Sequence, residues 1–372
     1  MRFLKFHHLK KILCFAVFFT LVSYPMYAQS IQKEQWGTVK GKEVSLYTVT
    51  NKNGMKMQIM NLGCIITSLF VPDKNGKLDD VVLGFDNLED YVKGHPSFGT
   101  TVGRYANRIK DAQFVMNDSV YKLTANEEGT AIHGGNEFRD AVWDAEIVSN
   151  ENGEGLRFHY LSPDGSFGFP GKLDVYATYL LNDDNAIYVT FEAETDKDTH
   201  VSMTNHSYFN LNGAKELIYD HRVLVDADTY TEFDEDITPT GKLPRLKETA
   251  WDLSSMTRLG DKIHDIPLNG YHHCYVLNKE DGEMKKAAEV IEPNSGRKLE
   301  VFTTQPGITV YASNGLDNIT GKYGTDYIPH MALCLETQDL PDAVNHPNFP
   351  STLLKPGETY SETVVYDFGI VK

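Results

Sequence analysis

Alternation of apolar and polar residues with a period of two recurs along this chain, and it constrains the fold more than any other feature. The clearest runs cover residues 43–50, 55–61, 172–181, 186–193, 298–304 and 362–368. A period of two is that of a β-strand, whose successive side chains point to opposite faces. The intervening segments are rich in Asn, Asp, Gly and Pro, which favour tight turns. We therefore expect hairpins of antiparallel strands.

Helical periodicity is scarce. Residues 87–93 and 253–262 predict short helical turns, and neither resembles the crossover helix that a parallel sheet needs. The chain has no internal repeat of about 20–50 residues and no low-complexity linker. We predict a mainly β protein in which residues 29–372 form a single domain, a large antiparallel β-sandwich whose concave face or rim loops hold a ligand.

The N-terminal segment carries a targeting pattern. Four cations between residues 2 and 11 precede an apolar run over residues 12–22, and smaller residues follow near Ala28. This order is typical of a secretory signal peptide. The run is shorter than the roughly 20 residues that cross a bilayer. We expect residues 1–28 to be a cleaved signal peptide, and the mature chain to have no membrane anchor and to be periplasmic or secreted.

The net charge argues against nucleic acid binding, and the number of cysteines argues against a set of disulfide bonds. The chain has 52 Asp and Glu against 35 Lys and Arg, a net charge of −17, which repels a phosphate backbone, so nucleic acid is not an expected partner. Cys64, Cys274 and Cys334 of the mature chain are an odd number, which cannot complete a disulfide framework. We expect them to be small buried apolar residues, and we expect the protein to be a monomer.

Nucleotide and metal signatures are weak. The chain has no phosphate-binding loop, no dinucleotide fingerprint and no paired cysteines at zinc spacing. The most metal-like cluster is His272–Cys274, where His272 and Cys274 share one face of a strand but have no evident third ligand. Ordinary strand residues are the favoured interpretation. We predict no metal site and no required cofactor, and a structural divalent cation such as calcium stays open.

Four segments place charged groups or imidazoles inside apolar, strand-like surroundings, where burial without a partner is unfavourable. They are residues 103–109, 131–135, 205–211 and 332–338. Together they suggest one pocket. Glu336 follows an apolar run, so its carboxylate needs either an ion pair or a function in which burial tunes its pKa. Taken alone, an ion pair for Glu336 and a hydrogen-bonded core position for His206 are the more common outcomes.

Five blocks of residues occur in an order and at spacings that match a known family. They are residues 94–109, His133-Gly134-Gly135, residues 204–211, residues 303–307, and residues 334–338 with Pro341-Asp342-Ala343. On these blocks the chain resembles the aldose 1-epimerase family. The resemblance extends from about residue 35 to the C-terminus. It implies a galactose mutarotase-like supersandwich with the sugar in an open cleft.

The resemblance also implies a function and a site. The family interconverts the α and β anomers of free aldoses such as galactose and glucose, with no nucleotide, metal or covalent intermediate. By residue matching, the general base is Glu336 and the general acid is His206, and the substrate-binding residues are Asn107, Arg108, His133, Tyr208, His272 and Gln305. Since a carboxylate favours an adjacent imidazolium, a modest rise in the pKa of His206 is expected.

Two departures from the family pattern concern sugar preference more than reaction type. His272 stands where the family usually has an aspartate, and Thr309 stands where many members have a glutamine. Three alternatives stay open: a glycoside hydrolase, which usually needs two carboxylates; a carbohydrate-binding protein without catalysis; and an epimerase for phosphorylated hexoses, which needs extra cations around the cleft.

Overall fold

Strands account for most of the regular structure. The computed structural model describes residues 30–235, 237–280 and 282–371, so the predicted signal peptide lies outside the described residues. In chain order the strands are β1 (Ser30–Val39), β2 (Lys42–Thr50), β3 (Lys56–Met60), β4 (Ile65–Pro72), β5 (Leu78–Asp80), β6 (Thr101–Val102), β7 (Arg108–Ile109), β8 (Gln113–Met116), β9 (Ser119–Lys122), β10 (Ala131–Ile132), β11 (Asp144–Asn150), β12 (Gly153–Ser162), β13 (Leu173–Leu181), β14 (Ala186–Thr195), β15 (Thr199–His200), β16 (Thr204–Asn205), β17 (Tyr208–Phe209), β18 (Arg222–Val225), β19 (Ala227–Tyr230), β20 (Thr257–Arg258), β21 (His272–Leu277), β22 (Lys285–Ile291), β23 (Arg297–Thr303), β24 (Gly307–Tyr311), β25 (Ile319–Thr320), β26 (Asp326–Tyr327), β27 (Leu333–Gln338), β28 (Leu353–Leu354) and β29 (Tyr360–Ile370). The α-helices are α1 (Leu88–Lys93) and α2 (Glu137–Asp140).

The six predicted strands are confirmed as β2, β3, β13, β14, β23 and β29, with ends shifted by at most two residues. The helical turn predicted at 87–93 is confirmed as α1, whose N-cap Asn87 accepts a hydrogen bond from the amide of Asp90. The turn predicted at 253–262 is reduced to a 3₁₀ turn at Leu259–Asp261. The residues just before this turn, Thr257 and Arg258, are not helical because they form β20, which pairs with β18.

Three sheets dominate the architecture. The largest has nine strands in the order β11-β12-β13-β14-β29-β23-β22-β18-β20. A five-stranded sheet has the order β17-β27-β24-β21-β19, and another has β1 to β5 in sequence. The pairings within all three are antiparallel, as the hairpin pattern predicted. The C-terminal β29 lies between β14 and β23, so the last strand closes the middle of the largest sheet.

The core lies between the sheets and confirms the sandwich. Val175 and Val189 of the nine-stranded sheet are fully buried in the same apolar cluster as Val310 and Leu335 of the five-stranded sheet. Period-two alternation produces this arrangement, since every second side chain of β13 points into the cluster. The strand β27 is buried along its whole length, which places its polar residues inside the protein.

The cysteines match the expectation for small buried residues. Cys64, Cys274 and Cys334 are buried and free, with no disulfide between them. None of the helices in the described ranges combines the length and the apolar character needed to span a bilayer.

Candidate active site

A cavity of about 440 Å³ opens above the five-stranded sheet that contains β27. Seven of the eight residues predicted for the site line it: Asn107, Arg108, His133, His206, Tyr208, His272 and Glu336. These residues come from segments more than 200 positions apart, and the strand pairing brings them together. The four polar segments of the sequence therefore form one pocket, as predicted.

The floor of the cavity follows from strand register. In β27, β24 and β21, Glu336 lies opposite Thr309 and Thr309 lies opposite Cys274, so the three side chains point to the same face. His272 is two residues from Cys274 and shares that face, opposite Tyr311. The residues that depart from the family pattern, His272 and Thr309, thus lie on the same floor as Glu336.

Glu336 is only 2 % exposed and lies on β27, the second strand of the five-stranded sheet. Its Oε2 receives no hydrogen bond from any residue that the structure describes. Burial raises the pKa of Glu336 to about 8, and the positive charge of Arg108 opposes that rise. A carboxyl group near this value can either hold or release a proton at neutral pH, as an acid–base catalyst must.

His206 lies between β16 and β17, and its backbone is fixed at both polar groups. Its amide donates to the carbonyl of Thr100, and its carbonyl accepts from the amide of Gly99. The imidazole Nε2 is 3.6 Å from Oε1 of Glu336, and the ring stacks on Tyr208. Burial lowers the pKa of His206 to about 4, so the expected rise is wrong: desolvation of the buried imidazole is the dominant effect.

His133 is held by a reciprocal pair of hydrogen bonds. Its amide donates to the carbonyl of Asn107, and the amide of Asn107 donates to Nδ1 of His133. An Nδ1 that accepts a hydrogen bond leaves the proton of the neutral ring on Nε2, so His133 presents a donor. The next residue, Gly134, has a φ of +60° and packs so tightly on Gly103 that a Cβ would lie 2.2 Å from its carbonyl oxygen. Only glycine fits this turn.

Arg108 forms a two-pronged ion pair that sequence reasoning missed. Its Nε and Nη2 donate to the two carboxylate oxygens of Glu127 at 2.6 and 3.0 Å. Glu127 lies in the turn before β10 and also lines the cavity. The bidentate geometry fixes the guanidinium plane, and no described hydrogen bond uses Nη1 of Arg108. That nitrogen is a donor for a ligand in the cavity.

One group in the described ranges has the spacing of a metal site. Ligand atoms of His133, His206 and Glu336 lie within 4.8 Å of one another. The amide of Asn107 weighs against a metal there, because its hydrogen bond to Nδ1 places the ring proton of His133 on Nε2, and a metal needs a bare nitrogen. The other metal-like cluster places His272 and Cys274 on one face, but the Cys274 thiol is fully buried and its pKa is raised to about 12 by burial.

Gln305 is a correction to the predicted site. It does not line the cavity: it is fully buried, and its Nε2 donates to the carbonyl of Met203. It lies in the turn before β24 rather than on the floor formed by Thr309 and Tyr311. Besides Glu127, sequence reasoning missed Tyr311, which lines the cavity. Its position two residues from Thr309 on a strand was the available signal.

Known proteins are similar to this chain over most of its length. The family model described as aldose 1-epimerase matches residues 45–367. The chain is 43% identical to galactose mutarotase of Sus scrofa over 319 residues, covering 85% of this chain and 92% of that protein. It is 32% identical to aldose 1-epimerase of Escherichia coli K12, with 88% and 96% covered. The crystal structure of an aldose epimerase homologue from C. elegans matches with a TM-score of 0.82 at 30% identity, covering 88% of this chain and all of that one.

Proposed function

Because the chain belongs to the aldose 1-epimerase family, we propose that it is an isomerase that interconverts the α and β anomers of free aldoses, galactose and glucose among them. One observation supports this most directly: a carboxyl group and an imidazole, 3.6 Å apart, lie in a cavity whose other polar groups suit sugar hydroxyls. A hexose of twelve heavy atoms occupies on the order of 200 Å³ at the packing density of organic crystals. The cavity has room for it.

The reaction needs one base and one acid. Glu336, ionised, takes the proton of the C1 hydroxyl while protonated His206 donates to the ring oxygen O5, and the C1–O5 bond breaks to give the open-chain aldehyde. Rotation about the C1–C2 bond exposes the other face of the carbonyl group. Ring closure with the two roles reversed gives the opposite anomer and returns both residues to their starting protonation states.

The mechanism depends on which of the two catalytic groups holds a proton. With pKa values of about 8 for Glu336 and about 4 for His206, the pair holds one proton at neutral pH, on Glu336. The working form has that proton on His206. A bound sugar favours it, because the O1 hydroxyl donates to the Glu336 carboxylate and O5 accepts from Nε2 of His206. Each ion then gains a hydrogen bond from the sugar.

The remaining polar groups position the sugar. His133 Nε2 and Arg108 Nη1 are donors, and the Nδ2 of Asn107 is a third, because its Oδ1 already accepts from the amide of Arg108. The hydroxyl of Tyr208 donates to the carbonyl of Pro96, so Tyr208 offers its ring. Correct orientation of this kind supplies part of the acceleration, in addition to proton transfer.

The test is polarimetry on freshly dissolved α-galactose and α-glucose with residues 29–372. Wild type should hasten the approach to the same final rotation as the blank, and Glu336→Gln and His206→Asn should each lose about 10²- to 10⁴-fold in kcat. Glu192→Gln and His159→Asn, on strands outside the cavity, are the matched controls and should keep the full rate. A wild type that matches the blank for every aldose overturns the proposal.

The alternatives find less support in the site. A glycoside hydrolase usually works with two carboxylates, and Glu127, the other glutamate of the cavity, is bound to Arg108 on both oxygens. A phosphorylated substrate calls for free cations, and Arg108 is the one Lys or Arg among the described lining residues. Calorimetric sugar binding without any rate effect would favour a carbohydrate-binding protein.

We propose that residues 1–28 are removed as a signal peptide and that residues 29–372 act in the periplasm or outside the cell, because four cations precede a short apolar run at the N-terminus. We also propose that residues 29–372 form a single domain, since no low-complexity linker divides them, and that the protein is a monomer. N-terminal sequencing of the native protein and light scattering in solution test the two parts. An uncleaved chain in the cytoplasm would contradict export.

A further inference from the structure

One of the matching sequence blocks, Pro341-Asp342-Ala343, takes no part in proton transfer. It lies in the turn that follows β27, the strand that carries Glu336. The side chain of Asp342 is fully buried and does not line the cavity. A buried carboxyl group is unfavourable unless its oxygens accept hydrogen bonds. The partners of Asp342 therefore indicate what this turn does.

Asp342 binds the backbone of β7, the strand that begins with Arg108. The amide of Asp342 donates to the carbonyl of Arg108 at 3.1 Å, and its Oδ1 accepts from the amide of Lys110 at 3.2 Å. These are the polar groups on either side of Ile109, so Asp342 binds β7 as a neighbouring strand would. Nδ2 of Asn345 donates to the same Oδ1 at 2.7 Å and fixes its direction.

The other edge of β7 is paired as well. Both of its residues pair with β10, and the chain continues directly from β10 to His133. The short strand β7 therefore lies between the segment that leads to His133 and the turn that follows the Glu336 strand. Asp342 is the residue that connects β7 to that turn.

The contacts of Asp342 to β7 need one side-chain oxygen and one amide, not a negative charge. Burial raises the pKa of Asp342, which favours the uncharged form. Its second oxygen, Oδ2, lies 3.3 Å from Nε2 of His346, which donates to the carbonyl of Pro239. The backbone of Asp342 has a φ of +58°, a conformation that Asp and Asn adopt more readily than other residues with a side chain. Asparagine therefore meets the same requirements.

We propose that Asp342 is a positioning residue for sugar binding, which holds the backbone of Arg108 at a fixed place relative to the Glu336 strand. This inference rests on the proposed function. Arg108 lines the cavity, where Glu127 occupies its Nε and Nη2 and leaves Nη1 for the sugar. A shift of the Arg108 backbone moves this donor, and a misplacement of about 1 Å is enough to weaken productive binding.

The test is the mutarotation kinetics of Asp342→Gly on galactose and glucose. Glycine keeps the positive φ and removes the side-chain oxygen. KM should rise about 10-fold, the value of one hydrogen bond to a charged group, and kcat should change by less than about 3-fold, because the acid–base pair keeps its own contacts. Asp342→Asn retains the oxygen and should return KM to within about 3-fold of wild type.

Two further variants separate positioning from a loss of stability. Asn51 is also fully buried, and its Oδ1 also accepts two hydrogen bonds, from the amides of Asn53 and Met55, in the turn between β2 and β3 outside the cavity. Asn51→Gly is therefore the matched control and should keep the wild-type KM. Urea melts show whether each variant is folded. Asn345→Ala, an exposed change that frees Oδ1 of Asp342, should raise KM about 2- to 5-fold and decides the question if Asp342→Gly does not fold.

Arg108→Met shows whether Asp342 acts through Arg108. Residues that act through one another are not additive, so Asp342→Gly should change KM by less than about 2-fold when Arg108 is already replaced. The inference is overturned if the rise in KM is the same in both backgrounds, or if a folded Asp342→Gly, or Asn345→Ala in its place, keeps the wild-type KM. A wild type without mutarotation on any aldose refutes the proposed function instead, so the two failures are distinguishable.

Discussion

The pH dependence of kcat/KM tests the physical basis of the acid–base pair. The working enzyme holds one proton on Glu336 and His206 together. Below a pKa of about 4 both groups are protonated and no base remains; above a pKa of about 8 the last proton is lost and no acid remains. The activity should therefore form a plateau between these values.

The alkaline limb is the informative one. With a limb at about 8, kcat/KM at pH 7.5 is about three quarters of its plateau and at pH 9 about one tenth, whereas an unperturbed histidine of pKa about 6.5 would leave only about one tenth at pH 7.5. The assay is polarimetry from pH 4.5 to 9.5, with the spontaneous rate extrapolated to zero buffer and subtracted. In Glu336→Gln the limb at 8 should disappear from the residual activity. A wild-type limb near 6.5 would refute the reasoning that burial controls this pair.

Four other perturbations follow from named contacts. Glu127→Gln weakens the two-pronged bond that fixes Arg108, so KM should rise about 10-fold with kcat nearly unchanged; an equal fall in kcat would contradict a positioning role. Arg297→Met removes a fully buried guanidinium that serves three carbonyls and a carboxylate, and urea melts should show a loss of about 3–5 kcal/mol. Dialysis against a chelator should leave kcat unchanged, because His133 presents a proton rather than a lone pair; activity that only added metal restores would disprove this. Glu336→Gln removes a contribution to stability that falls as the pH rises from about 4.3 to about 8, so the slope of the unfolding free energy against pH, measured by urea melts between pH 5 and 8, should become more positive; an unchanged slope would contradict the raised pKa.

Strand positions could be predicted because their signals are local. The alternation in β13 and β14 reflects one buried face, and the Asn182–Asn185 turn between them forces a hairpin, so both were located from a few residues. The neighbours of β29 could not be located in this way. It lies between β14 and β23, about 170 and 60 positions earlier, and long-range pairing of this kind depends on the packing of the whole core.

The site shows a similar division. Glu336 and His206 could be found because ionisable residues are unusual in apolar surroundings, where their burial is unfavourable unless they have a partner or a function. Glu127 could not, since an acid in a turn is ordinary and only the fold brings it to Arg108. Gln305 was misplaced because a matching block fixes which residues occur together, not which side chain faces the cavity.

The same burial that prepares Glu336 for catalysis works against stability. Its folded-state pKa of about 8 lies above the unfolded value of about 4.3, so folding binds a proton at intermediate pH. The contribution of this group is therefore fully present below pH 4.3 and is lost as the pH rises through about 8. A buried carboxyl group with an oxygen that receives no hydrogen bond is tolerated only if the surrounding packing compensates for it. Here β27 pairs with β24 at Glu336, pairs with β17 at its first two residues, and is buried along all six of its residues, which supplies that packing. Burial of Glu336 therefore lowers stability at high pH but keeps the carboxyl group neutral when no sugar is bound. When a sugar hydroxyl donates a hydrogen bond to the carboxylate, Glu336 can ionise.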